Sequence, residues 1–272
     1  MTLEDKVKIA IQRYQTFEPR DGYYLAFSGG KDSIVIKELA NMSGVKYDAH
    51  YSITSVDHPE LVQFIRKEHP DVIFERPGET MWSLIPKKRM PPTRLVRYCC
   101  ETLKEGGGTG RTVVTGVRWA ESPKRKNTRS EVEFDFQGSQ AKKAIENREI
   151  FLNSDNDEKR RMMESCIVKG KHILNPIIDW EDEDVWDFIK SRNLNYPKLY
   201  DQGYKRLGCI GCQMAGQKKM RAELDAYPKY KRQYIRTFQK MVDKRIADGL
   251  ETKWKTGQDV YDWWVGNTPN SG

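Results

Sequence analysis

Apolar residues at Leu3, Val7, Ile9, Ile11 and Tyr14 form a stripe that predicts an amphipathic helix over residues 3–17, broken by Pro19, Asp21 and Gly22. The unbroken apolar run "YYLAF" (23–27) then reads as a buried strand, and "DSIVIKELANM" (32–42) as a helix directly after it, with Gly44 placed to reverse the chain. The alternation continues with a strand in "VKYDAHYSI" (45–53), a helix in "PELVQFIRKEH" (59–69) and strands in "DVIFE" (71–75) and "RTVVTGV" (111–117). Strand and helix in turn predict an α/β fold, a Rossmann-like, mostly parallel sheet with helices on both faces. Residues 118–140 are polar and weakly periodic, which predicts a long loop or a pair of edge strands. Beyond them, helices are expected at 155–165, at 182–193 with Val185, Trp186 and Ile189 on one face, and at 227–249, followed by a short aromatic helix and a frayed tail. The domain expectation is a nucleotide-binding domain over 1–215 and a helical C-terminal extension over 216–272.

Composition narrows the class. Of 272 residues, 38% are apolar, enough for a core, and 32% are charged with a net charge of +8, a balance that favours anionic or phosphorylated partners. Neither a bilayer-spanning apolar run nor a secretory leader is visible, so the expectation is a cytoplasmic protein with no membrane partner. Five cysteines, Cys99, Cys100, Cys166, Cys209 and Cys212, include a vicinal pair and a C-x-x-C. An odd count in that pattern argues for metal binding or thiol chemistry over a disulfide framework.

The candidate chemistry starts at "SGGKDS" (28–33), where the first strand meets its helix. Unpaired N–H groups at a helix start attract anions, glycines let the backbone approach them closely, and Ser28, Ser33 and Lys31 add hydroxyls and a charge. The spacing is not that of the common G-x-x-x-x-G-K-[ST] loop. The paired cysteine motifs suit an iron–sulfur cluster or zinc, with buried free thiols as the bland reading. Basic runs at Lys87, Lys88, Arg89, Arg94 and Arg97 and at Lys124, Arg125, Lys126 and Arg129 are ordinarily solvated faces, but beside a nucleotide site they also suit a nucleic acid. Tyr227, Tyr230, Tyr234 and Phe238 recur at helical spacing and read as core, as do Trp180, Trp186, Trp263 and Trp264; the four histidines form no ligand motif, and His58 reads as surface.

"AFSGGKDS" resembles the PP-loop of ATP pyrophosphatases, and three later segments narrow the resemblance to the phosphoadenylyl-sulfate (PAPS) reductase family: "TGVRWAESPKR" (115–125), "NPIIDWEDEDVWDFI" (175–189) and "YPKLYDQGYKRLGCIGC" (196–212). The resemblance covers about residues 22–215. It implies an adenine nucleotide, ATP or a relative, at the sheet's carboxyl edge, with Ser28, Gly29, Gly30, Lys31, Asp32 and Ser33 on phosphate and Ser52, Ile53 and Thr54 framing the adenine. Gly116, Arg118, Ser122 and Arg125 would complete the site, with the two arginines as anion clamps and Asp32 as a Mg²⁺ ligand. Lys31, Asp32, Arg118 and Arg125 would be the catalytic set. It further implies a [4Fe–4S] cluster on Cys99, Cys100, Cys209 and Cys212, with Cys166 as a fifth candidate and zinc as the alternative metal. The family's reductases carry a C-terminal Glu-Cys-Gly segment, whereas no cysteine follows Cys212 here. The leading expectation is therefore an enzyme that adenylates an acceptor, releases pyrophosphate and supports sulfur transfer from a donor protein or thiol, with a nucleic acid as the acceptor. Sulfonucleotide reduction by an external thiol is one alternative; a non-catalytic nucleotide-binding subunit is the other. Acceptor, donor and oligomeric state are not encoded in any recognisable motif.

Overall fold

The computed structural model describes residues 1–135 and 171–266. Cys166 and the helix expected at 155–165 lie outside them. The chain forms two compact units assembled from interleaved stretches, residues 1–51, 64–73 and 107–200 in the first and 52–63, 74–106 and 201–272 in the second.

Six strands form one sheet: β1 (Tyr23–Ala26), β2 (Tyr47–Ser52), β3 (Ile73–Glu75), β4 (Thr112–Val114), β5 (Val132–Asp135) and β6 (Lys171–Leu174), in the order β3-β2-β1-β4-β6-β5. β1 runs parallel to both neighbours, Leu25 standing opposite Ala49 on one side and Val114 on the other. With strands on both edges and helices on its faces, β1 has no solvent side, which is why it reads as an uninterrupted apolar run. β6 continues the parallel set, and β5 closes the edge antiparallel to it, Val132 opposite Leu174. Where a long loop or a pair of edge strands is expected, the described part of the polar stretch after Val117 holds one edge strand. It also contains a helix that its weak periodicity hid, α6 (Pro123–Thr128), started by the Ser122 hydroxyl, which accepts from the Arg125 N–H at 3.2 Å.

In the first unit, α1 (Leu3–Thr16) and α7 (Asp182–Ser191) both pack on α2 (Lys31–Ser43). α7 buries Val185, Phe188 and Ile189, while Trp186 is only half-buried and meets the Tyr196 and Tyr200 rings edge-on. Arg13 of α1 is buried and held by Asp179, with a 2.9 Å bond to the Pro176 carbonyl, so the segment leading into α7 is tied to the first helix.

The second unit is built from helices. α3 (Pro59–Glu68) begins in it, and α4 (Met81–Lys88), α5 (Tyr98–Leu103), α8 (Gln217–Ala226), α9 (Pro228–Ala247) and α10 (Gly257–Val265) supply most of its core. Of the aromatic stripe, Tyr234 and Phe238 are at most 1% exposed and lie in the core with Met241 and Trp264, whereas Tyr227 and Tyr230 are half-buried and pack against it. The helix expected over 227–249 begins at Pro228, and α8 precedes it as a separate element. Proline has no N–H to continue the earlier ladder but fits the first turn of a new helix. Among the described residues no helix is long and apolar enough to cross a membrane.

Candidate functional site

β1 leads through α2 to β2 on one side, while β4 begins the run of strands on the other. The sheet therefore reverses its winding between β1 and β4, where open α/β sheets have a crevice at their carboxyl ends. The loops that flank this point are residues 27–30 and 115–122, and they bring together most of the residues singled out from the sequence.

Gly29 has φ +72°, a conformation that L side chains rarely adopt, and it turns the chain so that Gly30 caps α2 and Lys31 opens it. Ser28 donates to Ser33 at 3.2 Å, and Ser33 donates back to the Gly30 carbonyl at 2.8 Å, which closes the turn on itself. The Lys31 N–H points to the Tyr200 hydroxyl at 2.9 Å. The Lys31 ammonium, in a residue only 5% exposed, reaches Asp32 Oδ1 at 3.2 Å and Asp182 Oδ1 at 2.9 Å.

Arg118, 1% exposed, completes this group. Its Nε donates to Asp32 Oδ1 at 2.7 Å, one terminal nitrogen to Asp182 Oδ1 at 2.5 Å and the other to the Trp180 carbonyl at 3.1 Å. Burial alone would pull the guanidinium down, but Asp32 and Asp182 outweigh it and hold it above its ordinary value. Burial likewise pushes the Asp182 carboxyl up, and the hydrogen bonds from Lys31 and Arg118 bring it below the usual range. Two cations and two carboxylates thus share one small volume.

The loop after β4 is set by close packing. A Cβ on Gly116 would lie 3.0 Å from Asp32 Cβ and 3.1 Å from the Asp32 carbonyl carbon, so any larger residue would make the loop or the start of α2 give by a few tenths of an ångström. Asn175, fully buried, fixes it from the other side: it accepts from the Thr115 hydroxyl and donates to the Ser130 carbonyl at 2.8 Å and to Glu133 at 2.7 Å. Arg125 pairs with Glu121. Ser52 lies near Glu75, its hydroxyl 3.4 Å from the carboxylate, and the Ile53 N–H donates to the Glu75 carbonyl at 2.9 Å.

The second unit carries the thiols. Cys99, Cys100, Cys209 and Cys212, all half-buried and free, line one cavity of about 40 Å³ together with Arg97, Lys104, Thr54 and Tyr234. Asp57 bridges to Cys209, the Ile210 N–H donates to the Val56 carbonyl at 2.8 Å, and the Tyr234 hydroxyl holds the Ile210 carbonyl at 3.0 Å, so the C-x-x-C loop is pinned on both sides. Thr54, expected beside an adenine, is found here: its hydroxyl bonds Asp57 at 2.7 Å and lies 3.5 Å from the Cys209 sulfur. The vicinal thiols differ. Cys100 is brought down to about 5, first by the hydrogen bond from Cys99 and then by Arg97, while Cys99 is pushed up by the same bond and by burial. Cys209 holds the Lys104 ammonium above its ordinary value. Four sulfurs with two cations beside them fit, in kind and polarity, the donor set of an anionic iron–sulfur cluster or of zinc. Among the described residues, no three His, Cys, Asp or Glu side chains stand in metal-binding geometry, so the four would have to draw closer to share a metal.

The profile of the phosphoadenosine phosphosulfate reductase domain matches residues 22–215, well over half the chain and the whole stretch that holds both groups. The chain belongs to that family. Curated relatives include an uncharacterized protein of Methanocaldococcus jannaschii, 28% identical over 83% of this chain and 50% of that one, so the chain spans about half its length. The adenosine 5'-phosphosulfate reductase of Staphylococcus epidermidis is 26% identical over 73% of this chain and 72% of its own. The crystal structure of the PAPS reductase of Candida auris superposes with a TM-score of 0.48 at 15% identity, covering 77% of this chain and 95% of that one, a loose likeness from which nothing about the site follows.

Within this PAPS reductase domain, sequence reasoning missed Asp182, Tyr200 and Asn175 as members of the site. All three lie inside segments that carry the family resemblance, so the signal was present. Nothing local said that a carboxylate at the start of α7 would meet Lys31, 151 residues away. His58, read as surface, is fully buried: its Nδ1 lies 3.0 Å from the Gly208 carbonyl and its ring meets Tyr204 and Tyr227 edge-on.

Proposed function

We propose that the protein is an enzyme acting on an adenylyl sulfonucleotide, adenosine 5'-phosphosulfate or its 3'-phosphorylated form, and that it releases sulfite with electrons from a separate thiol. The observation that carries this reading is the gathering of Cys99, Cys100, Cys209 and Cys212 on one cavity beside Arg97 and Lys104, in a chain of this family. Relatives named adenosine 5'-phosphosulfate reductase, matching across 69–80% of their own length, support the same substrate class. The turn at 28–33 would take the nucleotide's phosphate on backbone N–H groups, with Lys31 and Arg118 supplying charge. Two external thiols would be oxidised to a disulfide as the sulfonyl sulfur is reduced by two electrons, giving sulfite, two protons and AMP, or adenosine 3',5'-bisphosphate from the 3'-phosphorylated substrate. Cys99, Cys100, Cys209 and Cys212 would hold a [4Fe–4S] cluster, which supplies a local field and redox chemistry when bound. The reducing thiol in this reading is supplied by a dithiol protein or a small thiol.

A second reading, adenylation of an acceptor by ATP with Mg²⁺ and release of pyrophosphate, is favoured by the turn itself, whose two glycines, lysine and two serines form a compact polyanion cradle. One assay separates the two. Purified protein is given dithiothreitol with each sulfonucleotide and sulfite is measured, and in parallel pyrophosphate release from ATP is followed with and without RNA or DNA. Sulfite formation supports the reductase; pyrophosphate release without sulfite from either sulfonucleotide overturns it in favour of adenylation.

A further inference from the structure

Lys31 and Arg118 both hand a hydrogen bond to the same oxygen, Oδ1 of Asp182, at 2.9 and 2.5 Å. The two cations are buried, their side chains 6% and 2% exposed, whereas the Asp182 side chain is 65% exposed. Asp32 takes the inner side of the same pair and is 25% exposed. Two positive and two negative charges cancel, so the turn as folded offers an incoming phosphate no net charge. The leading amide of α2 is engaged as well: the Lys31 N–H is spent on the Tyr200 hydroxyl, whose oxygen lies 3.2 Å from where a Gly30 Cβ would stand. A carboxylate oxygen shared by a lysine and an arginine, with a hydroxyl on the helix's first free N–H, reproduces the contacts that a phosphate would make at such a turn.

We propose that Asp182 and Tyr200 form an internal stand-in for phosphate at the 28–33 turn, and that a nucleotide binds by displacing the Asp182 carboxylate. Asp182 is then an affinity-setting residue. The inference rests on the reading of that turn as the nucleotide site. Asp182 is suited to leave. It is solvated, it sits in the first turn of α7, and once released it remains near the helix N-terminus, where a negative charge is welcome. Only the carboxylate partner of these pairs is solvated, and a multiply charged phosphate brings more negative charge to the two buried cations than one carboxylate does, so the exchange favours the ligand. Asp32 is the less solvated of the two carboxylates, 25% exposed against 65%, and so the less ready to leave. Tyr200 keeps its ring against Trp186 whether or not its hydroxyl is engaged.

The test is equilibrium binding of inorganic pyrophosphate, ADP and adenosine to the full chain and to Asp182→Asn, Asp182→Ser, Tyr200→Phe and Lys31→Ala. Removing the competing charge in Asp182→Asn should tighten ADP and pyrophosphate binding by about tenfold and leave adenosine unchanged. Asp182→Ser should act in the same direction and carries the test alone if the asparagine variant folds poorly. Tyr200→Phe should tighten ADP binding by a smaller factor, about twofold to threefold. Unchanged or weaker ADP binding in both Asp182 variants, while Lys31→Ala weakens it, overturns the displacement and leaves the nucleotide site standing. If Lys31→Ala also binds ADP as the parent does, the reading of the turn fails with it.

Discussion

The two candidate centres are held by opposite means. In the first unit, four charged side chains on α2, the loop after β4 and the start of α7 pair to neutrality, and each position depends on another charge. In the second, two thiols sit on α5 and two on the C-x-x-C loop, and the surroundings are fastened to an aromatic core, where Tyr234 bonds the Ile210 carbonyl and Trp264 donates to the Pro92 carbonyl at 2.8 Å. Charge networks are easily rearranged by a charged ligand, whereas packed aromatic cores resist change of any kind. The first centre is therefore suited to exchange one anion for another, and the second to keep a fixed arrangement of sulfurs.

The contrast can be broken most directly at Trp264. Trp264→Ala removes a buried ring and should cost about 3–5 kcal/mol in urea unfolding; a loss below about 1 kcal/mol would show that packing does not hold the thiol loops. Arg118→Ala should act on binding instead, weakening ADP affinity by at least about tenfold, and unaltered affinity would remove the charge network from the account. An acid limb sharpens the picture of the first unit, which also has an apolar seam. His69 lies edge-on between Phe27 and Phe64, and burial lowers it to about 4. Between that value and its unfolded value near 6.5, the unfolded chain binds the extra proton, so stability falls as pH drops through this window. The loss should be about 1–3 kcal/mol, read as the difference in acid unfolding between the parent and His69→Gln. The smallest effect on stability belongs to Cys209→Ser, under about 1 kcal/mol when measured on metal-free protein, yet it should strip iron or zinc from protein purified anaerobically. Metal content equal to that of the parent would take Cys209 out of the ligand set.

How much of this was legible in the sequence depended on range. β1 and α2 were readable because an unbroken apolar run met glycines and a periodic helix, all local signals. α4 and α5 were not, because each is short: α4 contains Pro86, and α5 is six residues around the cysteine pair. The turn at 28–33 was recognised by its residues alone, and the four cysteines by their spacing. That Asp182 meets Lys31 and Arg118, and that Thr54 lies against Cys209, depends on how distant segments fold together, which no local pattern carries.

Gly116 has a consequence for how the charge network can open. Because the loop after β4 lies flush against the first turn of α2, the backbone and Cβ of Asp32 have a wall at their back. The cluster therefore resembles a door with one jamb set in that wall, its most solvated member, Asp182, standing on the α7 side. Even an alanine at position 116 would lean on that jamb, and the pairing of Asp32 with Lys31 and Arg118 would feel the misfit.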